Sequence, residues 1–144
     1  MDEQRCKDLI EIQDLFNAIN KNTGLDWNQH DKTGLSLSQI FILEVLASEG
    51  RRRPSDLASI MHITTGGITS LLHRLVDRDL VTKITDEQDR RVIRLEITEA
   101  GKSVLTDALH QRDQMIDRLF GSLENSDIQY LKEIGQKLLN NFQK

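Results

Sequence analysis

The chain has 144 residues, of which 38% are hydrophobic and 4% aromatic, and its formal net charge is −4. This length suits a single domain with one hydrophobic core, and the many leucine, isoleucine and charged residues favour packed helices over a sheet-rich fold. The single cysteine, Cys6, excludes an internal disulfide framework and a cysteine-based structural zinc site. No apolar run reaches the length of a signal peptide core or a membrane span, so we expect a cytoplasmic location.

The basic residues are concentrated in the middle of the sequence. Residues 51–94 contain nine lysines and arginines against six acidic residues, which gives this segment +3 and leaves −7 for the remainder. Since affinity for DNA depends on neutralised phosphates, a basic centre in an acidic chain is compatible with DNA contact through one face. A random fluctuation of surface charge explains the same distribution.

The first predicted helix covers about residues 2–20. Its apolar residues recur at spacings of three and four, and they are Leu9, Ile12, Phe16 and Ile19. Residues 20–35 are polar and contain Gly24 and Gly34. They predict a loop, with at most one turn of helix, that carries the only tryptophan, Trp27.

The second predicted helix begins at Ser36, which forms a capping box with Gln39, and ends near Ser48. Apolar residues surround most of its cylinder, so we expect it to be the buried centre; they are Ile40, Phe41, Leu43, Val45, Leu46 and Ala47. Pro54, the only proline, suits the first position of a short third helix because its φ is fixed. The inner face of that helix consists of Leu57, Ala58 and Met61.

The fourth predicted helix has Thr64 or Thr65 as its N-cap and continues to about Asp79. One face is apolar, and the opposite face carries short polar side chains, with the smallest at the N-terminal end. This pattern is typical of the second helix of a helix-turn-helix, which reads base edges in the major groove. The candidate DNA-contacting residues are Thr64, Thr65, Gly66, Gly67, Thr69, Ser70, His73 and Arg74. The two glycines either allow close approach of the backbone to DNA or are merely tolerated.

Two short strands with alternating apolar residues are predicted over residues 81–84 and 92–97, with Ile93, Leu95 and Ile97 facing inward. The connection between them is long for a tight turn, so its tip is expected to project as a wing. An arginine on such a projection can enter a narrow A·T-rich minor groove. The candidate wing contacts are Gln88, Asp89, Arg90 and Arg91. A solvated turn, in which an Asp89 and Arg91 pair serves only local order, explains the same residues.

Two further helices are predicted, one capped by Thr98 and Glu99 and running to about Phe120, the other starting near Ser126. Their apolar faces, together with that of the first helix, exceed what one small domain needs to cover. We therefore expect a homodimer joined by the terminal helices, whose two-fold symmetry makes the DNA site an inverted repeat. A monomer with a self-contained helical cap is the alternative.

The region behind the helix-turn-helix resembles the MarR family of bacterial winged-helix transcription regulators. An Asp-x-Arg element falls on Asp89 and Arg91, and a Leu-x-Leu-Thr-x-x-Gly element, with one Leu-to-Ile change, falls on Leu95, Ile97, Thr98 and Gly101. The resemblance extends over about residues 35–101. It implies a mainly α fold with a small β wing, in which residues 1–144 form one domain: a winged helix-turn-helix over about 35–100 and dimerisation helices over about 2–20 and 99–143.

The resemblance also implies what the residues do. Arg91 would reach the minor groove while Asp89 holds it, and the helix from Thr65 would read the major groove. The chain departs from the family at Gly66-Gly67, where larger polar residues are common, and at Ser70, where a longer donor is frequent, which leaves its base preference open. The expected function is that of a sequence-specific regulator of transcription, a repressor that binds double-stranded DNA.

Members of the family typically respond to small aromatic or phenolic ligands, or to oxidants, between the dimerisation helices and the winged domain. Candidates for lining such a pocket are Trp27, His30, Phe41 and His110, although each residue type is more often ordinary packing or surface. Redox sensing through Cys6 is an alternative, but only Arg5 and Lys7 are basic neighbours, which favours an inert thiol. The four histidines lack metal-site spacing, so we expect neither a metal nor another cofactor.

Other function classes are disfavoured. The sequence has no glycine-rich phosphate loop, nucleophile elbow or paired-carboxylate signature, so we do not expect an enzyme. A winged helix that binds only proteins would more often expose aromatic or aliphatic residues at the start of the fourth helix. The adjacent Arg51, Arg52 and Arg53 are expected to contact the DNA backbone weakly or to form a solvated edge.

Overall fold

The structure, a computed structural model, describes residues 2–143, which form six helices and one antiparallel hairpin. The elements are α1 (Glu3–His30), α2 (Leu37–Glu49), α3 (Pro54–Met61), α4 (Thr65–Asp77), β1 (Val81–Thr85), β2 (Ile93–Ile97), α5 (Glu99–Phe120) and α6 (Asn125–Asn140). The predicted fold class, mainly α with a small β wing, is confirmed. Within the described residues, no helix has both the length and the apolar character required to cross a bilayer.

Helix α1 continues to residue 30, so the prediction of a loop over residues 20–35 is wrong for its first two thirds. Within the helix, two polar side chains of this stretch donate to carbonyl oxygens of the preceding turn, so their donor groups have partners without an interruption of the backbone hydrogen bonds. Asn22 Nδ2 donates to the carbonyl oxygen of Ala18 at 2.8 Å, and Thr23 Oγ1 donates to that of Ile19 at 2.7 Å. The helix therefore passes through the polar stretch without a break.

Trp27 anchors the last turn of α1 to the core. Its side chain is only 2% exposed, and the indole Nε1 donates to the carbonyl oxygen of Leu35 at 2.8 Å. Burial of a tryptophan outweighs the roughly 1 kcal/mol by which Gly24 weakens the helix relative to alanine. The extension of α1 is thus a consequence of tertiary packing.

Helix α2 is the buried centre, as predicted. Ser36 Oγ accepts from the Gln39 amide at 3.2 Å and Gln39 Oε1 accepts from the Ser36 amide at 2.9 Å, which confirms the capping box. Contacts with α4, α5 and β2 cover most of α2. They leave one strip open, however, and Phe41, one of the apolar residues listed for this helix, is 40% exposed there.

The hairpin pairs Val81 with Ile97 at its base and Thr85 with Ile93 at its far end. Leu95 and Ile97 are buried as predicted, whereas Ile93 is 43% exposed and the prediction for it is wrong. The alternation places Ile93 on the inner face of the hairpin, but the pair of Thr85 and Ile93 lies beyond the end of the core. The strands therefore project from the domain as a wing.

The start of α5 packs tightly against the end of the helix-turn-helix. Thr98 Oγ1 accepts from the Gly101 amide at 3.0 Å and donates to the carbonyl oxygen of Asp79 at 2.6 Å. The Thr98 amide donates to the carbonyl oxygen of Leu80 at 3.1 Å. These bonds bring the backbone of Gly101 against Leu80, an approach that requires the absence of a side chain.

The terminal helices leave wide apolar faces uncovered in the single chain. None of residues 125–140 in α6 is buried, and Trp27 is the one buried residue of α1. The large exposed apolar side chains of these two helices are Leu9, Ile10, Ile12, Leu15, Phe16, Ile19, Leu25, Tyr130, Leu131, Ile134, Leu138 and Leu139. Contiguous apolar surface of this kind marks sites of protein interaction.

Gly101→Ala is expected to lower the free energy of unfolding by about 1–3 kcal/mol, because the added Cβ would overlap the Leu80 carbonyl oxygen and crowd Ile97. Gly66→Ala in α4 is the control, since the nearest atom to its added Cβ, Thr64 Oγ1, lies 4.0 Å away. Urea unfolding of both variants measures the difference. Equal stabilities would contradict a close approach at Gly101.

Candidate nucleic-acid interface

The outer face of α4 is open, as its sequence pattern predicts. Ile68, Leu72 and Leu75 are buried against the core. The candidate contact residues on the other side are all exposed except for the half-buried Gly67; they are Thr64, Thr65, Gly66, Gly67, Thr69, Ser70, His73 and Arg74. The N-terminal half of the helix thus exposes a surface of small, polar residues.

The two glycines at the start of α4 differ in their surroundings. Thr64 is the N-cap, and its Oγ1 accepts from the Gly67 amide at 3.0 Å. A Cβ on Gly67 would lie 3.3 Å from that oxygen, whereas a Cβ on Gly66 would meet only the same atom at 4.0 Å. Gly67 therefore leaves space for the Thr64 cap. Gly66 faces open space, so no side chain projects from the helix surface at this position.

Arg74 lies apart from the other candidate residues of α4. Its Nη2 is 3.7 Å from the position that a Cβ of Gly34 would occupy, in the segment between α1 and α2. Arg78, the C-cap of α4, donates from Nη1 to the carbonyl oxygen of Thr33 at 2.6 Å. The C-terminal end of α4 is thus tied to the α1–α2 connection.

A two-point contact joins Asp89 and Arg91 on the wing. Arg91 Nε donates to Asp89 Oδ1 at 3.1 Å, and Arg91 Nη2 donates to Oδ2 at 3.2 Å. The Arg91 amide also donates to Oδ1 at 3.1 Å. These bonds hold the pKa of Asp89 below its ordinary value of 3.8. The Arg91 side chain is nevertheless 91% exposed, so its remaining N–H groups can reach a ligand.

Asp86, at the start of the β1–β2 connection, is a structural residue that the sequence analysis missed. It accepts hydrogen bonds from two main-chain amides and from Arg94. The available signal was an aspartate two residues before the candidate wing segment, a spacing at which Asp side chains often bond the following backbone.

Each residue of the arginine run has a carboxylate partner. Arg51 lies 3.5 Å from Glu96, Arg52 lies 3.7 Å from Glu49 and Arg53 lies 3.1 Å from Asp56. Arg52 also bridges to β2, because its amide donates to the carbonyl oxygen of Leu95 at 3.2 Å. The charge of this run is therefore largely compensated on the protein surface.

Three of the four pocket candidates line one cleft of about 590 Å³ between α1, α5 and the end of α4; they are Trp27, His30 and His110. Phe41 is absent from its lining. The lining is largely polar and carries three cationic side chains and two carboxylates, which are Lys32, Arg78, Arg118, Asp31 and Asp107.

One ion pair connects the two long helices at this cleft. Arg118 Nη2 donates to Asp26 Oδ2 at 2.8 Å, and Arg118 Nε lies 3.2 Å from both carboxylate oxygens. The hydrogen bond from Arg118 holds the pKa of Asp26 below its ordinary value. The wall of the cleft is thus braced between α1 and α5.

The remaining candidate for sensing, Cys6, lies half-buried in α1. Among residues 2–143, no cluster of three or more histidine, cysteine, aspartate or glutamate side chains is placed to hold a metal ion. Cys6 is not among the residues that line the cleft.

Comparison with known proteins agrees with this geometry. The model of the MarR family matches residues 33–92. The transcriptional repressor MdtR of Bacillus subtilis is 27% identical over 129 residues, which span 90% of this chain and 81% of MdtR.

Two solved structures have the same fold. A MepR-like protein crystallised with pseudoligands is 34% identical, with 89% of this chain and 91% of that chain covered and a TM-score of 0.66. A mutant of Escherichia coli MarR in complex with operator DNA is 19% identical, with 92% of this chain and 96% of that chain covered and a TM-score of 0.80.

The fold and the exposed α4 and wing define a winged helix-turn-helix regulator that binds DNA. The chain belongs to the MarR family. The similar proteins are transcriptional regulators, which is consistent with the expectation that the chain is not an enzyme.

Proposed function

We propose that the protein is a homodimeric repressor that binds an inverted-repeat operator in double-stranded DNA. The observation that carries this proposal is the presence, on one structural unit, of an open polar α4 and a projecting wing with a braced arginine. Similarity to MdtR, which is named as a repressor, supports repression. The similarity in fold to a MarR protein crystallised with operator DNA supports the mode of docking.

In this proposal the N-terminal half of α4 enters the major groove. Thr69, Ser70 and His73 supply short donors and acceptors for base edges, and the amide groups at the start of the helix favour phosphate. Because these side chains are short, the helix has to approach the bases closely. The small surface at Gly66 is consistent with that approach.

The wing is proposed to place Arg91 in the adjacent minor groove. An unrestrained arginine loses considerable rotamer freedom when it binds. The Asp89 contact restrains the guanidinium beforehand, through Nε and Nη2, and leaves other N–H groups for the acceptors on the groove floor. Arg91 is therefore proposed to be the main wing contact, with Gln88 and Arg90 beside it.

Arg91→Ala is expected to weaken binding by roughly 1–3 kcal/mol, because it removes a cation from the minor groove. The probe is a labelled duplex selected with the wild-type protein from a random library, and the readout is fluorescence anisotropy at fixed salt. Arg5→Ala, which removes the same charge from α1, is the control and should leave affinity nearly unchanged. An Arg91→Ala protein with wild-type affinity would exclude the wing contact.

The uncovered faces of α1 and α6 are proposed to form the dimer interface. Leu131→Glu in α6 is expected to convert the dimer to monomer, because it places a charge within the apolar surface that would be buried. Ile60→Glu, at a similarly exposed apolar residue of α3, is the matched control. Sedimentation velocity distinguishes the two states. If Leu131→Glu sediments as the wild type does, this face is not the interface.

The cleft at Trp27 is proposed to bind the ligand that releases DNA. An aromatic carboxylate is the chosen probe, because the lining combines an indole and two histidines with three cations that outnumber the carboxylates Asp31 and Asp107. The contacts of Arg78 with the α1–α2 connection would then pass occupancy of the cleft to α4.

Since Trp27 is the only tryptophan, its emission reports directly on this cleft. Benzoate is expected to change that emission saturably and to weaken binding of the selected duplex. In the absence of DNA, His110→Ala should raise the benzoate concentration needed to change the tryptophan emission, whereas His73→Ala, which alters α4 outside the cleft, should not. A linear, non-saturating change in emission would rule out a benzoate site here.

A further inference from the structure

We propose that Asp86 is the positioning residue of the wing: it fixes the β1–β2 connection so that Asp89 holds Arg91 where it meets DNA. The inference rests on the proposed minor-groove contact of Arg91 and adds a residue that acts through it.

The Asp86 carboxylate organises the first half of the connection. Its Oδ1 accepts from the Gln88 amide at 2.8 Å and from the Asp89 amide at 3.3 Å. Its own amide donates to the carbonyl oxygen of Val92 at 3.0 Å, which closes the connection from the other side. The backbone position of Asp89 is therefore set by Asp86.

Asp89, three residues further along the chain, makes similar hydrogen bonds: like that of Asp86, its carboxylate accepts from the amide two residues on. Its side chain accepts from the Arg91 amide and guanidinium, and its carbonyl oxygen accepts from the Val92 amide at 3.0 Å. The two carboxylates thus act in series, the first on the backbone that carries the second, and the second on the guanidinium of Arg91.

The second oxygen of Asp86 connects this series to strand β2 of the hairpin. Arg94 Nε, on β2, donates to Asp86 Oδ2 at 3.3 Å. Arg94 and Asp86 form an ion pair in which 23% of the Asp86 side chain is exposed. The amides of Gln88 and Asp89, with Arg94, hold the pKa of Asp86 below its ordinary value.

If Asp86 positions the wing, its removal should weaken binding to DNA, whereas its charge alone predicts the reverse. A carboxylate close to the phosphates repels them, so its removal should strengthen binding to DNA if charge were its whole contribution. The Asp86 side chain is 23% exposed and is occupied by three donors, which leaves it poorly placed to contact bases itself. A loss of affinity on its removal would therefore report on positioning.

The first experiment compares Asp86→Ala with Glu87→Ala by anisotropy on the selected duplex. Both variants remove one negative charge from the connection, but the Glu87 side chain makes no hydrogen bond or ion pair within residues 2–143. Asp86→Ala is expected to bind roughly tenfold more weakly, whereas Glu87→Ala should bind equally well or more tightly. Unchanged or tighter binding by Asp86→Ala would overturn the proposal.

The second experiment places Asp86→Ala in the Arg91→Ala background. If Asp86 acts through Arg91, the double variant should bind no more weakly than Arg91→Ala alone. An equal further loss in both backgrounds would overturn the proposal and assign Asp86 a general structural role. If Arg91→Ala itself has wild-type affinity, the proposed minor-groove contact fails, and this inference fails with it.

Asp86→Asn is the conservative variant, because its amide oxygen can still accept from the Gln88 and Asp89 amides. It should recover part of the lost affinity. Hydrogen exchange at those two amides should be faster in Asp86→Ala than in Asp86→Asn, with exchange in α2 unchanged in both. Slow exchange at Gln88 and Asp89 in Asp86→Ala would show that the connection does not depend on this carboxylate and would contradict the proposal.

Discussion

The close approach of Gly101 to the Leu80 carbonyl oxygen joins three parts of the protein: α4, the hairpin and α5. It lies where α4 has just ended, where the hairpin begins and ends, and where α5 starts. Thr98 completes the junction by bonding Asp79, Leu80 and Gly101. Because this junction admits no side chain, the direction of α5 relative to α4 and the wing is narrowly set. In the proposed dimer, the same direction determines the spacing of the two DNA-reading surfaces.

The electrostatics of the interface depend on which cations are free rather than on how many there are. The prominent run Arg51–Arg53 is matched by Glu96, Glu49 and Asp56, and this matching fits a protein whose net charge is negative. On the wing, pairing has a different result, because Asp89 restrains Arg91 without covering it. A few exposed and oriented groups therefore carry the affinity in the proposed complex.

Much of the fold could be predicted from the sequence because the signals are local. A capping box at Ser36, an amphipathic α4 with a threonine cap, and strands with a period of two depend on neighbours within a few residues. The Asp89 and Arg91 pair is likewise separated by two residues, so the sequence pattern predicts its geometry. The location of the exposed α4 face follows from the same periodicity.

Contacts between residues far apart in the chain decided the rest. Helix α1 passes through a polar, glycine-containing stretch because Trp27 is buried and bonded to Leu35, and no local propensity predicts this. Ile93 has an inward-facing pattern, yet it lies beyond the end of the core, and Phe41 lies on the one strip of α2 that no other element covers. The cleft gathers Trp27, His30 and His110 from α1 and α5. Sequence by itself determined the local elements and the exposed polar face of α4, whereas only the tertiary structure decided the extent of α1, the edges of the core and the cleft, because these depend on which distant surfaces meet.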